Sequence, residues 1–100
     1  QHMATMLENL GGREDKIILL EVANEAWQNG FSGSQGVSDV REFGRYLADR
    51  TAIPVALSAT AGGTNASLEE MYRGSAADIA TEHFSRDIGT AEGGWLPVRD

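Results

Sequence analysis

One nearly continuous apolar run, Ile17-Ile18-Leu19-Leu20-Glu21-Val22-Ala23, constrains this chain most. A run of this kind suits a strand covered on both faces, as in a parallel sheet. Its surroundings agree. Upstream, Met6, Leu7 and Leu10 recur at helical spacing and Gly11-Gly12 closes the turn, so residues 4–10 read as the end of a helix. Downstream, residues 28–37 read as a polar loop, and a helix starts at Ser38 or Asp39, both good caps. Val40, Phe43 and Leu47 give that helix an apolar stripe, and it stops near Thr51, ahead of Pro54.

The alternation continues. Val55-Ala56-Leu57-Ser58-Ala59 reads as a second strand, and residues 60–66 as a flexible loop. Ser67 and Glu70 form a capping box for a helix that reaches Arg73 and ends at Gly74. Ile79 to Phe84 reads as a third strand, and the tail from Ser85 as irregular. Strands alternating with amphipathic helices imply parallel pairing through crossovers. The expected fold class is therefore α/β, with about three parallel strands. Such a unit leaves open strand edges, so self-association through them is expected.

Composition narrows the function classes. Fifteen acidic residues against eight basic ones give a net charge of −7, which argues against phosphate-backbone binding and hence a nucleic-acid partner. There is no cysteine, so neither disulfides nor a cysteine-based zinc site is expected. No apolar run approaches the roughly 20 residues that cross a bilayer, and no membrane partner is expected. Only His2 and His83 are available as imidazoles, which gives a metal site little support. No cofactor is expected. Gln1, His2 and Met3 read as an expression remnant with an initiator methionine, so residues 4–100 are the expected domain.

Chemistry concentrates in Glu21-Val22-Ala23-Asn24-Glu25-Ala26-Trp27. Functional residues of parallel α/β folds gather at the carboxyl ends of strands. Glu25 has that position. A carboxyl group there, backed by apolar strand and flanked by Trp27, suits proton donation to a leaving-group oxygen. Asn24 adds a neutral donor and acceptor suited to a sugar hydroxyl. Strand alternation puts Leu19, Glu21, Ala23 and Glu25 on one side. Glu21 would then need a polar partner such as arginine.

The stretch Glu21-Val22-Ala23-Asn24-Glu25 resembles the fourth-strand signature of clan A glycoside hydrolases, the (β/α)8-barrel enzymes that include family 5 cellulases and mannanases. The family pattern is Glu-apolar-x-Asn-Glu, usually followed by proline; here Ala26 follows. The resemblance implies that Glu25 is the general acid/base and that Asn24 contacts substrate. It implies that the chain covers about strands 4 to 6 of a TIM barrel, an architecture of about 250 residues. It places His83 at the substrate site near the end of strand 6. The implied function is hydrolysis of β-glycosidic bonds in poly- or oligosaccharides, with a carbohydrate as the partner. In that family the nucleophile is a strand 7 Glu, so these 100 residues alone are expected to be inactive.

Each assignment has a plainer alternative. Asn24 and Glu25 also suit an ordinary polar strand end, and Glu21 a structural buried carboxylate. Trp27 serves either as a loop anchor or as a sugar-stacking platform. His83 suits either a satisfied core position or the site. Glu82 points opposite to His83 by alternation, and His83 is the preferred site residue. Glu92 is a weaker carboxylate candidate, and Trp95 reads as packing. Gly62-Gly63 lacks any phosphate-loop pattern. The competing function is a stand-alone α/β module of flavodoxin-like type, used for binding or assembly without catalysis.

Overall fold

The computed structural model describes residues 2–83. Helix α1 spans His2–Leu10, α2 spans Gly33–Ala48, and α3 spans Asn65–Tyr72. Strand β1 is Leu20–Glu21 and β2 is Val55–Ala56. The strands pair in parallel, Leu20 opposite Val55 and Glu21 opposite Ala56. Further ladder bonds extend the contact past the strand ends. The Val22 N–H donates to the Ala56 carbonyl and the Ala23 N–H to the Leu57 carbonyl, both at 3.1 Å. Parallel strands need a crossover, and α2 provides it.

The core lies where α2 and α3 cover β2. Val55, Ala56, Leu57 and Ser58 are fully buried. Leu57 packs with Val40, Met71 and Ala26, and Val22, Phe31 and Tyr72 close around them. The buried stripe of α2 is Gly36, Val40, Gly44 and Leu47. Phe43, expected inside, is exposed and meets Phe31 edge-on, with ring centroids 5.8 Å apart. Two glycines explain the shift. A Cβ on Gly44 would stand 2.2 Å from Leu57 Cδ2, and one on Gly36 would stand 2.1 Å from the Phe31 carbonyl carbon. Both allow α2 to press closer than a side chain permits.

The fold differs from the sequence expectation in one large respect. Among the described residues there is a two-stranded parallel sheet, not three strands of a (β/α)8 barrel. Residues 79–83, the described part of the expected third strand, do run beside β2. Side chains intercept the backbone groups that a third strand would pair. The Val55 N–H donates to Asp78 Oδ2 at 3.0 Å, the Ser58 N–H to the Tyr72 hydroxyl at 3.1 Å, and the Thr60 N–H to both Glu82 carboxylate oxygens at 3.2 Å. Among the described residues after α3, only Asp78 and Ile79 reach β2 through backbone, donating to the Val55 carbonyl. The edge is satisfied without a ladder.

Smaller differences have local causes. The first strand is shorter than the apolar run, and Ile18 stands 85% exposed just ahead of it. Helix α2 begins at Gly33 rather than at Ser38 or Asp39, and ends at Ala48 rather than near Thr51. The capping box of α3 sits three residues earlier than read. Thr64 is the cap and accepts the Ser67 N–H at 3.1 Å, while Ser67 Oγ accepts the Thr64 N–H at 3.0 Å. Helix α1 includes His2 and Met3. Arg41 of α2 closes the other end of α3. One guanidinium nitrogen donates to the carbonyls of Glu70, Met71 and Arg73, which α3 cannot pair internally.

Candidate functional site

The chain leaves β1 through a tight turn at Asn24-Glu25, beside the end of β2. Glu25 has φ 42°, the only positive φ of a non-glycine residue among the described residues. Such a backbone costs on the order of 1–3 kcal/mol and persists where the surroundings enforce it. Here they do. The Ala26 N–H donates to the buried Ser58 Oγ at 2.8 Å. Asn29 Nδ2 donates to the Asn24 carbonyl at 2.7 Å and to the Glu25 carbonyl at 3.3 Å. The Gln28 N–H donates to the Glu25 carbonyl at 2.9 Å.

The turn aims the Glu25 carboxylate at the segment following α3. Oε1 lies 3.2 Å from His83 Nδ1, and Oε2 accepts from Gln28 Nε2 at 3.1 Å. The pair is partly open, with 34% of the Glu25 side chain and 41% of His83 exposed. Four residues deeper, Glu21 is half-buried and accepts from the Thr81 hydroxyl, not from an arginine. Glu21 thus meets Thr81 and Glu25 meets His83; the turn at Asn24-Glu25 brings a carboxylate four residues past Glu21 back to a partner only two residues past Thr81. Glu82 points away, toward Thr60, whose hydroxyl donates to Glu82 Oε2 at 2.5 Å. An imidazole beside a carboxyl gives a proton two neighbouring seats, the arrangement used for general acid–base transfer.

Trp27 points to another part of the surface. Its indole is 41% exposed and forms one wall of a cleft of about 210 Å³ with Phe31, Thr60, Ser67, Glu70 and Met71. The cleft therefore adjoins the Glu25 turn through the chain itself, two residues on. Asn24 is exposed, and its carbonyl is held by Asn29. The environment of Glu25 is more polar than an apolar strand end beside a tryptophan would make it. No group of three His, Asp or Glu side chains suited to a metal occurs among the described residues. Glu92 and Trp95 lie outside the described residues.

Several residues that build the site carried no signal in the sequence. Gln28 had one, its position three residues after Glu25, the spacing of side chains one helical turn apart. Ser58, Tyr72 and Thr81 had none, because their contacts join residues 9 to 60 positions apart. No family model, no curated protein and no solved structure matches the chain.

Proposed function

We propose that Glu25 is the proton-transfer residue of a carbohydrate hydrolase, donating to the glycosidic oxygen and then taking a proton from water. The observation that carries this reading is the Glu25–His83 pair at the carboxyl end of β1, 3.2 Å apart and open to solvent. The enforced positive φ at Glu25 supports it, because strain of this kind gathers at working sites. The likeness of residues 21–25 to the glycosidase signature supplies the substrate class. Asn24 stands on the same turn, where it would meet sugar hydroxyls; Trp27 faces the adjoining cleft, where it would stack on a neighbouring sugar unit.

A retaining mechanism needs a second carboxylate about 5–5.5 Å from the first. Glu82 points away from Glu25, toward Thr60, and Glu21 lies deeper, against Thr81, so neither faces Glu25 across the turn. In this reading the nucleophile comes from outside residues 2–83. The test therefore does not rely on turnover. An N-bromoacetyl β-glycosylamine of a cello- or manno-oligosaccharide places its reactive carbon where the leaving oxygen would sit. The Glu25 carboxylate displaces bromide and forms an ester. Peptide mapping should find the ester on Glu25, suppressed by excess unmodified oligosaccharide and absent in Glu25→Gln. Alkylation spread over exposed carboxylates, with no protection by sugar, would favour the stand-alone binding or assembly module instead.

A further inference from the structure

We infer that the Tyr72 hydroxyl is the positioning group of the Glu25–His83 pair, tying both partners to one half-buried oxygen. The inference rests on the acid–base reading of that pair and adds what holds it in place. Tyr72 is the last residue of α3, and its ring packs against the core formed by Leu57, Val40 and Met71. Its hydroxyl reaches two backbone segments at once. It accepts the Ser58 N–H and the Thr81 N–H, each at 3.1 Å, and donates to the Ser58 carbonyl at 2.9 Å. The phenol oxygen thereby uses its donor and both lone pairs.

Each segment leads to one partner. Ser58 Oγ accepts the Ala26 N–H at 2.8 Å, which anchors the turn carrying Glu25 in its strained backbone. Thr81 lies two residues before His83, and its hydroxyl donates to Glu21. Without the phenol, the Ser58 and Thr81 amides lose their acceptor, and the two segments lose their bridge at this level. The Ser58 amide is buried and has no other acceptor among the described residues, so loss of the phenol loosens the 79–83 segment from the Glu25 turn. Glu82 on Thr60 is the remaining tie near His83. It holds the segment to β2 but not to the Glu25 turn.

The test is Tyr72→Phe, which keeps the ring in the core and removes only the bridging oxygen. The readout is the ¹⁵N–¹H spectrum of the His83 imidazole, which reports which ring nitrogen carries the proton and whether it is hydrogen-bonded. Glu25→Ala defines the spectrum of an unpaired His83. Tyr72→Phe is expected to move the His83 ring signals to those of Glu25→Ala. A ring spectrum identical to wild type, in a folded Tyr72→Phe protein, would overturn the inference. A merely structural tyrosine would lower the melting temperature and leave the imidazole unchanged. Thr81→Val covers the case in which Tyr72→Phe does not fold. It removes the Thr81 hydroxyl, which lies 3.2 Å from the Tyr72 oxygen and donates to Glu21, and so loosens the same bridge through its side-chain contact. His83 is expected to shift in the same direction, and absence of a shift overturns the inference. No sugar enters this experiment, so a failure of glycosylamine labelling alone would sink the acid–base reading and leave the bridge standing.

Discussion

Gly36 and Gly44 are two buried glycines of the same helix, and they should respond differently to the same added methyl group. Each Gly→Ala change gains about 0.5–1 kcal/mol from helix propensity. Each also places a carbon well inside the optimal separation of about 3.5–4.0 Å. On Gly44 the new Cβ stands 2.2 Å from Leu57 Cδ2, but 3.7 Å from Leu57 Cγ and 3.9 Å from Val22 Cγ2. The clash is with the tip of one side chain, which can rotate. Leu57 is fully buried, so rotation strains its neighbours. Overpacking of about 1–3 kcal/mol less the propensity gain leaves a net loss of about 1 kcal/mol. On Gly36 the contacts are 2.1 Å to the Phe31 carbonyl carbon, 2.3 Å to its oxygen and 2.8 Å to its Cα. All three are backbone, which cannot turn aside. The loss there should reach about 3 kcal/mol or more, because the loop from the Glu25 turn into α2 must move.

Urea denaturation of both variants measures the two losses, and a double-mutant cycle of Gly44→Ala with Leu57→Ala isolates the side-chain clash. Leu57→Ala alone should cost about 2–5 kcal/mol and should cost less once Gly44 is alanine. Equal losses at the two glycines, or a net gain at Gly36, would refute the close approach of α2 to the Phe31 loop.

Further perturbations test other parts of the structure. Glu25→Gly should be more stable than Glu25→Ala by about 1 kcal/mol, because only glycine adopts φ 42° freely; urea midpoints compare them directly. Thr64→Ala removes the observed cap of α3 and should cost about 1 kcal/mol by the same assay, more than the loss of Glu70, which makes no cap contact. Arg41→Ala uncovers three carbonyls at the end of α3 and should cost about 1–2 kcal/mol in thermal unfolding. Self-association through the β1 edge remains a proposal. If it holds, light scattering should show an assembly that Ile18→Lys returns to monomer, Ile18 being the most exposed large apolar residue beside that strand.

The parallel pairing of β1 and β2 was legible because a continuous apolar run and an intervening amphipathic helix are both local patterns. Alternation separated Glu82 from His83 in the sequence, and the two do diverge, Glu82 to Thr60 and His83 to Glu25; the left-handed turn that brings Glu25 to His83 had no sequence signal. The missing third strand was not legible. Asp78, Tyr72 and Glu82 satisfy the edge of β2 with side chains, and nothing in their spacing marks them as substitutes for a ladder. The early start of α2 was hidden for a related reason. Gly33 and Gly36 lower helix propensity, and the contact that favours Gly36, the Phe31 backbone, is tertiary. For α3, Ser67 does belong to the capping box, as the N3 partner of Thr64 rather than as the cap paired with Glu70.

The central claim is that the Glu25 turn and His83 form one carbohydrate-facing acid–base site. Titration of the ¹⁵N-labelled chain with a β-1,4-linked glucan or mannan tetrasaccharide tests it most directly. The account predicts saturable shifts concentrated on the His83 imidazole, the Trp27 indole and the amides of Asn24 and Glu25. Absence of shifts at high tetrasaccharide concentration, or shifts confined to surfaces away from that turn, would contradict it.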